Sequence, residues 1–407
     1  MSKVGGAIPS WYWPTGVPRR IGVPPQALEW LVRRRATSAK ERPALVWAGG
    51  RLTYGELLEQ ALSVAGGIQK RDLGGTIAVA EASGPDALIL LLAGLLAEKR
   101  VLAADPSRAV EEQAAHLKSA EAAAIITASG AGPGAERSGL PVLLRAELAD
   151  AYRQSARPRR ALDPAVLIPG ERGVVVHSHF SIAAMCTSLA TFIPQLRELA
   201  FVCLPPPDSW EAVVGMFGAL LQGMPIVFPD REGKSGGALD ADREAYTMLL
   251  RRQADEVLRR RRRPAALAGI RYIFVSTGQF DPAWRQRLEK LLGQAILPVW
   301  GLPEVGPIVA PHPTWFPAKA HGFPLVNVSL VPIDPASGKV SLVPWEMLDQ
   351  AEACVETLSG MVGYAGGVDD AKLRVGKLFR THQMASMDNV GVVTLHGEVP
   401  RGATHAS

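Results

Sequence analysis

The sequence contains no apolar run long enough to cross a bilayer. The longest, Ala87 to Ala97, ends in Glu98-Lys99-Arg100, well short of the ~20 apolar residues a spanning helix needs. No membrane partner is expected. The N-terminus lacks the basic-then-hydrophobic layout of a signal peptide, because Pro9, Trp11 and Pro14 precede any apolar stretch. A cytoplasmic location is therefore the default expectation. Cysteine is scarce: Cys186, Cys203 and Cys354 lie far apart, which excludes a zinc-knuckle spacing and argues against a disulfide framework. All three read as ordinary buried thiols. Charge of one sign is also scarce, at +5 over 407 residues. Its one concentration is Arg259 to Arg263, followed by Pro264. That run ends a polar stretch beginning near Asp240 and has no interleaved aromatics for base stacking. It reads as a solvated helix end whose cations suit the helix dipole, and no nucleic-acid partner is expected.

What is present is a chain 47% hydrophobic over 407 residues, enough for two packed subdomains. Short β-prone runs at 44–47, 77–80, 174–176, 201–204, 272–275 and 296–299 alternate with helical stretches, which argues for an α/β architecture with helices flanking β-sheets. Thr53 and Glu56 have capping-box spacing ahead of apolar residues at helical intervals, so a helix starts there. Further helices fit Asp86 to Lys99, Val110 to Ser119, Phe180 to Phe192, Trp210 to Gln222 and Pro282 to Leu292. The Gly/Pro-rich stretch from Ser129 to Pro141 reads as a surface loop. After about Val309 the pattern changes to short strands around 326–333, 340–343, 378–381 and 390–395, separated by Pro and Gly turns. The expected division is an α/β core over 1–309, a smaller β-rich subdomain over 310–398 and a tail over 399–407.

Several segments, in one order, carry a resemblance. Arg51-Leu52-Thr53-Tyr54-Gly55-Glu56-Leu57 is similar to the hairpin-and-helix opening of adenylate-forming enzymes, the superfamily of acyl-CoA synthetases, NRPS adenylation domains and luciferases. Val101 to Pro106 and Gly173 to His179 follow as that family's next elements. Trp300-Gly301-Leu302-Pro303-Glu304 resembles its aromatic-Gly-x-Thr-Glu motif, Gly363-Tyr364 its "GY" turn, Phe379 to Gln383 its "RTGD" strand, and Asp388 to Gly391 the hairpin after it. The resemblance covers nearly the whole chain and implies the fold of the family's large N-terminal domain. The family's mobile C-terminal domain is not expected after residue 398, where Leu395-His396-Gly397-Glu398 stands in place of a Gly-Arg hinge.

In the family a carboxylate attacks the α-phosphate of ATP, and the acyl group then passes to a thiol or amine. The resemblance implies a phosphate-gripping loop at Val166 to Gly173, but here it is short, carries no hydroxyl side chain, and contains Glu171. Gly170, Arg172, Gly173, Thr381 and Gln383 are thus expected as a vestigial nucleotide site, with Arg172 standing for the family's lysine and Gln383 for its ribose-binding aspartate. Glu304 matches the magnesium-binding glutamate, while Pro303 replaces a threonine and removes a backbone N–H. No cofactor is assigned, ATP and Mg2+ included. Trp210, Ser276, Thr277, Gly278, Phe280, Trp300, Gly301 and Leu302 are the expected walls of an acyl pocket.

His179 and Glu304 are the candidate catalytic groups, His179 as a general acid or base should some reaction other than adenylation be carried. A nucleophilic Ser178 is not favoured, because no G-x-S-x-G elbow surrounds it. Two classes of function stay open. One is an enzyme binding an acyl or aryl acid or a thioester on CoA or a carrier protein, acting by acyl transfer or cyclisation. A variant of it is a ligase whose missing domain comes from a partner chain. The other is a non-catalytic relative that regulates or scaffolds a partner enzyme.

Overall fold

The computed structural model describes residues 13–130, 132–150, 159–230, 244–279, 281–313, 320–334 and 337–399. Short apolar runs supply its strands. Thr76–Ala80, Arg100–Ala104 and Ala124–Thr127 are buried almost throughout and pair in parallel, as expected of strands covered by helices on both faces. With Val142–Leu144, Pro164–Gly170, Gly173–Ser178 and Gly363–Tyr364 they form a seven-stranded sheet. A nine-stranded sheet runs from Phe323–Pro324 through Gly306–Ala310, Ile296–Leu302, Ile270–Ser276 and Ala245–Leu250, then through Ala200–Val202 and Ile226–Phe228, to the hairpin Pro43–Trp47/Gly50–Thr53. The helix Pro85–Leu96 is buried from Ala87 to Leu96 and touches strands of both sheets. Being apolar all round, it can only sit between layers.

The expected capping box is present: the Thr53 Oγ accepts from the Glu56 N–H at 3.2 Å, and a Glu56 carboxylate oxygen accepts from the Thr53 N–H at 2.7 Å. The helices Val110–Ser119, Trp210–Gln222 and Pro282–Leu292 begin and end where the sequence places them. The arginine run closes the helix Arg251–Arg260, where Arg259 and Arg260 both pair with Glu256. All three cysteines are buried and unpaired, and burial pushes each thiol up to about 12. No helix among the described residues is long and apolar enough to cross a membrane.

Three expectations are corrected. The stretch read as a loop at 129–141 contains the helix Gly132–Ser138, packed on Val110–Ser119. Gly134, a loop signal in sequence, is there because a Cβ would meet the Gln113 side chain at 1.9 Å. Ala245–Leu250, within the supposedly polar stretch, is an inner strand of the nine-stranded sheet, and its Thr247 hydroxyl donates to the Val202 carbonyl at 2.7 Å. Val340 to Val343 makes only a bridge from Val340 to Ile333, and Leu342 is 99% exposed. The strand paired with Val328–Ile333 is Ala351–Thr357 instead, disguised in sequence by Glu352. That glutamate is buried because Arg380 meets it from Leu378–Met387.

Val328–Ile333, Ala351–Thr357, Leu378–Met387, Arg374–Val375 and Val393–Glu398 make a five-stranded sheet. Its inner face shares an apolar cluster with Trp300, Val305 and Ile308. This contact sets Thr381 and Gln383 opposite the ends of the strands Ile270–Ser276 and Ile296–Leu302.

Candidate functional site

A pocket of about 520 Å³ opens where the three sheets meet. One wall is the hairpin Pro164–Gly170/Gly173–Ser178, which closes on the Gly170–Gly173 pair and leaves two residues, Glu171 and Arg172, at its tip. Gly173 has φ +147° and an added Cβ would lie 3.4 Å from the Tyr364 ring, so the turn needs glycine there.

The floor is the end of Ile296–Leu302 and the turn after it. Trp300 is buried, and Gly301 lies against Trp210: a Cβ at 301 would stand 2.8 Å from the indole and 2.7 Å from the Gly306 carbonyl. His177 fixes the turn, its Nε2 lying 2.7 Å from the Pro303 carbonyl oxygen and its Nδ1 3.1 Å from the Ser181 hydroxyl. Burial pushes this imidazole down to about 4, so it is neutral at pH 7. Glu304 follows, 3% exposed. The Tyr364 hydroxyl donates to its Oε1 at 2.6 Å, and Arg172 Nη1 lies 3.7 Å from the same oxygen. Burial, then the Glu304 carboxylate, push the Tyr364 phenol up.

The opposite wall is the start of Trp210–Gln222. Ser209 caps that helix, its Oγ accepting from the Ala212 N–H at 3.2 Å. Asp208, immediately before, is fully buried; Arg108 Nε meets its Oδ2, while Oδ1 has no hydrogen-bond partner. Burial raises the Asp208 carboxyl and Arg108 offsets part of that rise. Arg108 also pairs with Glu112 at the rim, beside His116.

Glu211 lines the pocket yet is only 4% exposed. A helix first turn favours an ionised carboxylate, but desolvation wins here: the Glu211 carboxyl is pushed up to about 7, against the lowering influence of the Ser276 and Ser209 hydroxyls, its own backbone N–H and Arg252.

Trp210, Ser276, Thr277, Gly278, Trp300, Gly301, Leu302 and Glu304 all line this one pocket, with Gly170, Arg172, Thr381 and Gln383. Gly173 lies behind the lining, under Tyr364. Phe280 lies outside the described residues. His179 is the correction. The chain turns from strand to helix at Ser178, which caps the helix His179–Phe192. The His179 ring is thereby directed away from the pocket, where its Nδ1 accepts from the Leu28 N–H at 3.3 Å and faces Glu29. Sequence reasoning missed Glu211, which reads there as an ordinary first-turn acid, and the Arg108–Asp208 pair, whose members are 100 residues apart. Asp208 and Trp210 flanking a helix cap were the one visible signal.

The family model described as AMP-binding enzyme matches residues 32–167 and 170–364. Among solved structures, ATP-bound MatB from Rhodopseudomonas palustris superposes with a TM-score of 0.77 at 18% identity, over 92% of this chain and 79% of that one. Unliganded O-succinylbenzoate Coenzyme A synthetase (MenE) from Bacillus subtilis gives 0.75 at 16% identity, over 90% and 78%. The luciferase-like enzyme of the nonluminescent mealworm Zophobas morio gives 0.76 at 15%, over 92% and 96%. No curated protein matches the sequence. At these identities the structural likeness establishes the fold: the large N-terminal domain of adenylate-forming enzymes, as the motifs imply.

Proposed function

The chain belongs to the AMP-binding enzyme family, and from that premise we propose that its pocket serves an acyl or aryl carboxylate or thioester without the family's ATP adenylation, in acyl transfer or cyclisation. The observation that carries this reading is the arrangement at Glu304. One carboxylate oxygen takes both the Tyr364 hydroxyl and the Arg172 guanidinium. A divalent cation needs that oxygen's lone pairs and repels a neighbouring guanidinium, so these residues fit a resident organic cation better than Mg2+. The two-residue tip between Gly170 and Gly173 adds to this. Phosphate-gripping loops work by converging several backbone N–H groups on the anion, and a closed hairpin directs its inner N–H groups to the opposite strand. Glu171 at the tip adds negative charge beside any phosphate.

The remaining lining suits an acyl group. Trp210, Trp300, Gly301 and Leu302 give an apolar floor, and polar groups converge from both sides, the usual composition of a small-molecule site. ATP–pyrophosphate exchange with a panel of acyl and aryl acids tests the proposal. No exchange is expected, together with quenching of tryptophan fluorescence by an aryl thioester. Acid-dependent exchange by the isolated chain overturns the proposal.

A further inference from the structure

Acyl transfer needs a group that moves a proton, and the structure takes His179 away from the site. We infer that Glu211 is that group: it accepts the proton of the hydroxyl or water that attacks the bound acyl thioester and delivers it to the departing sulfur. The inference rests on the acyl-transfer reading above. In the step, an oxygen–carbon bond forms at the acyl carbon, the carbon–sulfur bond breaks, and the acceptor's proton passes by way of the Glu211 carboxylate to the thiolate.

Geometry singles out this carboxylate among the described lining residues. Glu304 is held by Tyr364 and Arg172, Asp208 by Arg108, and Glu112 by the same arginine. Glu171 is exposed at the hairpin tip, and Glu398 at the end of its strand. A carboxylate in water is a weak base, and one locked in an ion pair is weaker still. Glu211 is buried next to Trp210, whose indole packs on Gly301, and the group that most favours its ionised form is the neutral Ser276 hydroxyl. Arg252, from the helix Arg251–Arg260, acts on it only as a nearby charge. From the loop ahead of its helix, Asp208 carries the other charge on this wall, balanced by Arg108. Burial has brought the carboxyl into the range where protonated and ionised forms coexist near neutral pH, which suits a general base. The neutral Ser276 hydroxyl favours the ionised form without bringing a charge to it.

His116 is the competing base. It lines the rim beside Arg108, and burial followed by that charge lowers it below its ordinary value. At the rim the charges of Arg108 and Glu112 act on it, whereas Glu211 follows Trp210, the residue that packs on Gly301.

The test uses S-benzoyl-N-acetylcysteamine as the thioester, with released thiol read by a chromogenic thiol reagent. The three buried cysteines of the protein do not contribute, their thiols being held protonated. Wild-type kcat is expected to rise with pH through about 7, since the base works only when ionised. Glu211→Gln should lower kcat by about 100-fold or more, the usual scale of general-base loss, leave KM within about threefold, and abolish the pH step. Ser276→Ala, which retains the carboxylate and removes a hydroxyl that favours its ionised form, should move the step to higher pH. Circular dichroism and Tm establish that both variants fold.

A Glu211→Gln enzyme with kcat within about threefold of wild type overturns the inference, as does a pH step that survives in it and is lost in His116→Gln. Thioester that quenches tryptophan fluorescence but is not turned over by wild type removes the acyl-transfer reading and this role with it, leaving a ligand-binding relative. Thioester that neither binds nor reacts overturns the acyl pocket itself.

Discussion

Glu304 and Glu211 sit at two ends of one pocket, 3% and 4% exposed, and their surroundings could hardly differ more. Glu304 receives a phenol and a guanidinium on a single oxygen. Glu211 has the neutral Ser276 hydroxyl and, as its one favourable cation, Arg252 acting only as a nearby charge. The first arrangement sets a phenol and a guanidinium against the buried carboxylate, and in the second desolvation outweighs the groups that favour ionisation, so the proton is retained to about pH 7. Equal burial therefore comes with a carboxylate paired to Tyr364 and Arg172 at one end and a titrating group at the other. Glu304 is thereby suited to hold the turn at Pro303, and Glu211 to exchange a proton.

The sharpest way to separate the two ends is the pH dependence of stability. Glu211 rises from an ordinary 4.5 to about 7 in the fold. Its native state binds the proton more tightly, so the stability it confers is fully present below pH 4.5 and is lost as pH rises through 7. Glu211→Gln is accordingly expected to stabilise the protein at pH 8 by about 3 kcal/mol, and to change little at pH 4.5. Urea midpoints at the two pH values check this. The buried histidines slope the other way: His177, His179 and His321 are each pushed down to about 4 by burial. Their contribution is present above pH 6.5 and is lost as pH falls toward 4, and it cancels in the difference between variant and wild type. A variant less stable than wild type at pH 8 breaks the comparison. A residue whose removal stabilises the fold while abolishing turnover is the trade expected of a working site.

Asp208 tests whether an ion pair next door behaves as Glu304 does. Asp208→Asn keeps the shape and loses the charge-assisted bond from Arg108, a change of about 2 kcal/mol. Arg108 is partly exposed and keeps Glu112, which holds the loss below that of a fully buried pair. The same urea series reads it. A loss below about 0.5 kcal/mol would show that the pair contributes as a surface pair does.

Much of this architecture was legible because its signals were local. Thr53 and Glu56 announce a helix start within four residues, and Trp300 to Glu304 form a contiguous motif. What was hidden depends on groups distant in sequence. Glu352 looks too polar for an inner strand until Arg380 is placed beside it, and Gly134 looks like a loop until Gln113 is seen to occupy its missing side chain's space. His179 and Glu211 are mirror errors at the site: each starts a helix, and only the packing of that helix decides which ring or carboxylate faces the pocket. Periodicity gives a helix its buried face, but in a helix buried on nearly every side it does not distinguish a core from a cavity.

At the Glu304 end the expected effects are smaller. Glu304→Gln retains an oxygen to accept the Tyr364 hydroxyl and loses only the attraction of Arg172, about 1 kcal/mol in a urea titration. A loss of 3 kcal/mol or more would place Glu304 in the same class as an unpaired buried charge and erase the contrast with Glu211.

Arg172→Ala is expected to cost least, under about 1 kcal/mol, because the guanidinium is about a third exposed and lies 3.7 Å from its partner. Its informative readout is metal binding. With the resident cation removed, Glu304 keeps the Tyr364 hydroxyl but gains a free face toward the pocket, and a hard oxygen ligand beside open solvent suits Mg2+. Millimolar Mg2+ should then raise the Tm of Arg172→Ala and leave wild type unchanged, since a ligand stabilises only the state it binds. An equal shift in both proteins would mean that Arg172 does not exclude the metal, and the reading of Glu304 as a carboxylate already paired with an organic cation would fail.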